Sequence, residues 1–218
     1  MFFSDYGLFM HEIIAEYLSG GLRRDELAGY YLANFKSRVS AAAPNPGIFS
    51  SYFEQGLSYL KSVEPLEVRP LAVEQEVCFS VDGVPFTGFI DCVAESDSGL
   101  VVIDHKSRAL KPRSKRKKPT QMDRELDDYL RQLYLYSVAV RDLYGEYPEE
   151  LRFNCFRTNT VIRERFREDA LERTKVWALG SIRKIEKNKE WPPDMDYWKC
   201  RYLCGHKEHC EYFQSNRS

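Results

Sequence analysis

Hydrophobic positions along the chain change their period near residue 70. Before that point the pattern is helical: His11 to Leu18 and Leu22 to Val39 lack alternation, and Ile48, Tyr52, Gly56 and Leu60 recur at a spacing of four. A Pro- and Ala-rich break at residues 41–47 interrupts this helical block. Val73, Val77, Phe79 and Val81 then alternate with Glu74, Glu76, Cys78 and Ser80, as a half-buried strand requires. Asp82-Gly83 follows at once. Such a pair between alternating segments predicts a two-residue type I′ turn, so Val84 to Val93 should return antiparallel to the first strand.

A turn at Glu95 to Gly99 leads into a third strand, Leu100 to Lys106. Asp123 to Tyr144 carries Leu126, Leu130, Leu133, Ser137 and Val140 on one side and predicts a helix; Leu151 to Phe156 predicts a strand, and Leu171 to Ile185 a last helix. Helices, three strands, helix, strand, helix is the order of an α/β (α+β) domain on a small mixed sheet flanked by helices. The whole chain, 1–218, reads as one domain: a helical block (1–63), a sheet-and-helix core (70–190) and a cysteine-rich C-terminal segment (191–218).

Composition fits that picture. Hydrophobic residues make up 43% of the 218 and aromatics 14%, enough for one core and too few residues for a second enzyme. No apolar run approaches a bilayer span and no basic-then-apolar signal opens the chain, so we expect no membrane association and a cytoplasmic location. Six cysteines are too few and too clustered for a disulfide scaffold. The net charge of −1 hides a local run, Lys111 to Lys118, in which Lys111, Arg113, Lys115, Arg116, Lys117 and Lys118 carry six positive charges.

Chemistry emerges on the strands. Asp104 and Lys106 are two apart on the third strand and share a face; Asp91, near the end of the second, can be brought beside Asp104 by the short antiparallel connection. Two converging carboxylates form a hard oxygen site suited to Mg²⁺ or Mn²⁺. A lysine beside that ion can orient or deprotonate water and balance charge on a phosphate. A solvated ion pair would explain Asp104 and Lys106 alone. Leu100 to Ile103, however, are continuously apolar, so Asp104 interrupts a buried strand, where an unpaired carboxylate is costly.

Taken together, these residues resemble the PD-(D/E)XK nuclease superfamily, in particular its RecB-type branch, which includes CRISPR adaptation and phage recombination nucleases. Gly88-Phe-Ile-Asp91 is similar to the family's Gly-x-x-Asp strand, and Val102-Ile-Asp104-His-Lys106 to its Asp-x-Lys strand. Gln132-x-x-x-Tyr136 is similar to its helix motif, and Gly7-x-x-x-His11 to its upstream histidine block. The resemblance implies a restriction-endonuclease-like fold. It also implies metal ligands at His11, Asp91, Asp104 and the backbone carbonyl of His105, a catalytic Lys106, and Gln132 and Tyr136 lining the DNA side. The implied activity is Mg²⁺- or Mn²⁺-dependent DNA hydrolysis, exonuclease-like, in recombination, repair or phage DNA processing. The His105 side chain points away from Asp104 and reads as structural.

The basic run follows the catalytic strand directly and, flanked by Pro112 and Pro119, reads as a mobile loop that binds DNA phosphates; a solvated loop is the alternative. No Walker motif accompanies it, so unwinding would come from a helicase or recombination partner. Cys200, Cys204 and Cys210 resemble the C-terminal part of the iron–sulfur site of many RecB-type nucleases, whose fourth cysteine lies upstream of the histidine block. Only six residues precede Gly7 and none is Cys, so we expect the chain to begin inside that architecture and to hold a [4Fe–4S] cluster incompletely. His206 or His209 would instead complete a Cys3His site suited to Zn²⁺. Cys78, Cys92 and Cys155 read as small buried hydrophobes. Two readings from other classes remain: a DNA-binding nuclease fold without activity, and an interaction module organised by the C-terminal cysteines.

Overall fold

The Asp82-Gly83 turn sets the register of half the sheet. Both residues have positive φ, 48° and 80°, as a type I′ turn demands. Val81 pairs with Val84, and the register runs on to Gln75 opposite Ile90 and Val73 opposite Cys92. The computed structural model describes residues 1–63, 67–193 and 195–215. Three helices, α1 (Phe2–Leu18), α2 (Leu27–Arg38) and α3 (Pro46–Ser62), precede strands β1 (Arg69–Val81), β2 (Val84–Ser96) and β3 (Gly99–Lys106). Helix α4 (Gln121–Tyr144) leads to β4 (Glu150–Cys155), β5 (Thr160–Arg165) and α5 (Glu168–Lys187). The C-terminal segment holds α6 (Tyr197–Tyr202), a single 3₁₀ turn and α7 (Glu211–Ser215).

The five strands lie in the order β1-β2-β3-β4-β5, parallel between β3 and β4 and antiparallel elsewhere. Helix α4 is therefore the crossover of a βαβ unit. Its start is fixed reciprocally: the Thr120 hydroxyl accepts from the Asp123 N–H, and the Asp123 carboxylate accepts from the Thr120 N–H. Gly145, left-handed at φ 86°, ends it. Between those caps Leu126, Leu130, Leu133 and Val140 pack on Val77, Ile90, Val102 and Phe153 of the sheet. A second, aromatic core gathers Tyr6, Phe9, Tyr31 and Phe35 of α1 and α2 with Phe156 beyond β4. Phe156 thereby fastens the helical block to the end of the sheet where β3 and β4 finish.

Three expectations change. The chain has a fifth strand, β5, which buries Ile162 alone while Val161, Arg163 and Arg165 face solvent; an edge strand with one buried side chain leaves little periodic signal. Helix α1 begins at Phe2 rather than His11, because Phe2, Tyr6 and Phe9 bury the same stripe as Ile13. Cys78 is exposed, sharing the outer face of β1 with Ser80, whereas Cys92 and Cys155 are buried. No helix among the described residues is long and apolar enough to cross a membrane.

Candidate active site

Alternation along β2 breaks at Asp91. Ile90 packs under α4, yet Cys92, two positions on, joins Val101 and Ile103 on the opposite face. Residues two apart on a regular strand would share a face. Pairing of β2 with β3 extends from Ser96 opposite Gly99 to Cys92 opposite Ile103. Beyond it the Asp91 carboxylate takes the place of the ladder, accepting the His105 N–H at 2.6 Å. On β1, Glu74 has φ 48° and lies beside the same break.

His11 of α1 meets these two acids. Its Nδ1 is 3.6 Å from Asp91 Oδ2 and 3.9 Å from Glu74 Oε1. One ligand atom from each of His11, Glu74 and Asp91 lies within 4.8 Å of the others, the one such group of three among the described residues. Asp104 stands next to this trio on β3, with its side chain 4% exposed. Lys106 Nζ donates to Asp104 Oδ1 at 3.0 Å and lies 2.8 Å from Oδ2, an ion-pair contact outside hydrogen-bonding geometry.

The lysine is held from the other side by α4. Nζ donates to Gln132 Oε1 at 3.1 Å, and Gln132 Nε2 donates to the Tyr136 hydroxyl, also at 3.1 Å. Tyr136 in turn lies over Gly88: a Cβ there would meet its ring at 2.8 Å. The glycine three residues before Asp91 is therefore a matter of space.

Burial raises the carboxyl pKa values of both Asp91 and Asp104; Asp91 is held back chiefly by His11, and Asp104 by the Lys106 ammonium. Three carboxylates thus converge on one ammonium and an imidazole, with two of the three largely out of water. Such an excess of buried negative charge fits a hard divalent cation.

His105 lies on the other face, as its position on the strand requires. Its ring is buried, its pKa depressed by burial to about 3, and its Nδ1 sits 3.0 Å from Asn154 Nδ2. Its ring centroid is 5.8 Å from that of His11.

A family model of the PD-(D/E)XK nuclease superfamily matches residues 3–211. The chain belongs to that superfamily. This nuclease is also similar in structure to a candidate exonuclease from Eubacterium rectale, at 16% identity and a TM-score of 0.48, covering 94% of this chain and 74% of that one. Comparison with curated proteins finds no match.

Glu74 is the site residue that sequence reasoning missed, because it read only as the polar side of an alternating strand. The signal was present: a two-residue turn at Asp82-Gly83 fixes which residues oppose each other, and extending that register places Glu74 opposite Asp91. The basic run following β3 is irregular along its length. It is also tied down. Asp123 accepts from the Ser114 N–H and hydroxyl, and Arg113 is paired with Asp127 at 2.7 Å and Glu164 at 3.3 Å. Lys111, Lys115, Arg116, Lys117 and Lys118 are exposed. Cys200, Cys204 and Cys210 are partly exposed, and none is in a disulfide.

Proposed function

We propose that this nuclease hydrolyses phosphodiester bonds in DNA with Mg²⁺ or Mn²⁺, acting as an exonuclease in recombination, repair or phage DNA processing. The convergence of Asp91, Asp104 and Glu74 on Lys106 and His11 supports this reading most directly. His11, Asp91, Asp104 and the His105 carbonyl, with Glu74 beside them, would hold the ion. When bound it would polarise the phosphoryl oxygen and lower the pKa of the attacking water. Lys106, steadied by Gln132 and Asp104, orients that water and offsets charge developing on the phosphate. Asp91, by accepting the His105 N–H, holds β2 and β3 at the spacing the site needs. The test is cleavage of labelled linear and circular DNA, single- and double-stranded, with Mg²⁺, Mn²⁺ or EDTA. Turnover confined to linear DNA supports an exonuclease, and full activity in EDTA would sink the metal mechanism.

Tyr136 and Gln132 act as positioning residues for the lysine. In Gly88→Ala the new methyl group displaces Tyr136, and we expect turnover to fall by roughly tenfold with the fold retained, since misplacement by about 1 Å can cost up to about 100-fold. Wild-type turnover in this variant would remove the contact chain from the mechanism.

The exposed lysines and Arg116 follow the strand that carries Asp104 and Lys106, and could contact DNA phosphates. Neutralising Lys111, Lys115, Lys117 and Lys118 should weaken DNA binding and lower the slope of log K against log salt by up to about four, with little change in turnover at saturating DNA. Arg113, already neutralised by two carboxylates, should contribute less than its neighbours. An unchanged slope would return the segment to a solvated loop.

Cys200, Cys204 and Cys210 offer three thiolates, a partial set for a [4Fe–4S] cluster or, with His206 or His209, for Zn²⁺. Anaerobic purification with iron, sulfide and zinc analysis decides between them. We expect substoichiometric iron from this chain; stoichiometric zinc would overturn the iron–sulfur assignment.

A further inference from the structure

Behind the active strand lies a second concavity, of about 470 Å³. Its position follows from α1. His11 meets the carboxylates, and Ile14 and Leu18, three and seven residues further along the same helix, line the cavity. At a rise of about 1.5 Å per residue these lie roughly 5 and 10 Å along the axis from His11. The opposite wall is β3 to β5, with Ile103, His105, Arg152 and Val161, and Tyr59 of α3 closes one side. The cavity and the carboxylate site thus share α1 and the peptide at His105: its N–H bonds Asp91 on one side while its imidazole forms cavity wall on the other.

The lining is chemically mixed. Aliphatic and tyrosyl side chains supply flat apolar walls, whereas the polar groups carry almost no free charge. Arg152 is buried and paired with Glu150 at 2.6 Å, and Arg163 is paired with Glu67 and, at 3.6 Å, with Glu150. Two guanidiniums therefore meet two carboxylates. An anion would have to displace a carboxylate to be bound here, which argues against a phosphate. Asn154 donates to the Tyr59 hydroxyl at 2.6 Å and to His105 Nδ1, leaving His105 Nε2 buried with no partner. A buried polar nitrogen without a partner is costly, and a polar group reaching it would relieve that cost.

We propose that this cavity binds an uncharged nucleobase, with its ring between the aliphatic walls and its polar edge toward the His105–Asn154 side. Flat apolar walls and balanced charge favour a neutral heterocycle over an anion. The choice of a nucleobase among heterocycles rests on the nuclease reading, since that activity handles bases at the adjoining site. The base could arrive on a free nucleoside or as an unstacked base of the substrate strand. Because His105 is shared, occupancy also reports to the backbone that holds Asp91.

The test uses the full chain without divalent cation. Amide spectra are recorded while titrating the four deoxynucleosides and, separately, a short single-stranded oligonucleotide and its abasic counterpart. We expect saturable shifts at Leu18, Asn159 and Val161, from free nucleosides or from the oligonucleotide only where it carries the base. Val161→Trp, at an exposed edge-strand position, should fill the mouth and weaken binding by about tenfold or more, as Leu18→Phe should from the other wall. Shifts from neither ligand class, or binding unchanged in both variants, would overturn the proposal. Cleavage assayed in parallel keeps the two readings apart: cleavage without nucleobase binding sinks the cavity alone, and binding without cleavage sinks the nuclease alone.

Discussion

Asp104→Asn and Lys106→Ala should each lower DNA cleavage by about 100- to 1000-fold or more, while moving stability in opposite directions. The catalytic loss follows from the site. Lys106 is the one ammonium against three carboxylates, and Gln132 and Asp104 aim it where charge develops on the phosphate; removing one such preorganised group typically costs about that factor. Asp104→Asn removes an anion from the ligand set. The stability argument separates function from packing. Asp104 is buried, and burial raises its pKa despite the neighbouring ammonium, so the folded chain without metal is destabilised by its charge. Asn at that position should raise the melting temperature in EDTA. Lys106→Ala strips Asp104 of the ammonium paired with it and should lower it, because a poorly compensated buried charge remains. Thermal unfolding in EDTA, beside a cleavage assay, checks both. Equal destabilisation by the two variants with cleavage retained would identify an ordinary structural ion pair.

That opposition of sign explains what could be read along the chain. Asp104 was legible because it breaks the apolar run Leu100 to Ile103, and a carboxylate in a buried strand needs a chemical reason. Its neighbours were legible through period: a strand places Asp104 and Lys106 on one face and turns His105 away, which the Asn154 contact bears out. Glu74 was hidden because local alternation reports only inside from outside; its partner lies across a hairpin, and the irregularity at Asp91 decides what it meets. Strand β5 was hidden for a related reason. It is held by pairing with β4 rather than by its own burial, and long-range pairing leaves no period in a segment where one side chain is buried. Arg113 shows the same limit among charges: its partner Glu164 is far along the chain on β5, so the run looked like six equivalent cations when one of the six, Arg113, is paired with two carboxylates.

Asp91→Asn should weaken Mn²⁺ binding more than Glu74→Gln does, although both remove one carboxylate charge from the same trio. Asp91 is the more buried, with its side chain 12% exposed against 44% for Glu74, so its charge is less screened by water and acts more strongly on an ion. Asp91 also has a second duty in accepting the His105 N–H, which Asn can still perform through its amide oxygen; the comparison therefore isolates charge from geometry. Changes outside a metal's direct ligands commonly cost about 10- to 100-fold in affinity, and losing a buried ligand charge should cost at least as much. For Glu74, exposed and able to relax into solvent, we expect less than about tenfold. Mn²⁺ binding is read directly by calorimetry or by loss of the free-ion EPR signal, so the result does not depend on turnover. Asp91→Asn binding Mn²⁺ as tightly as the wild type would remove Asp91 from the ligand set. A larger loss in Glu74→Gln would move the ion outward toward β1, making the exposed acid, rather than the buried pair on β2 and β3, the anchor of the site.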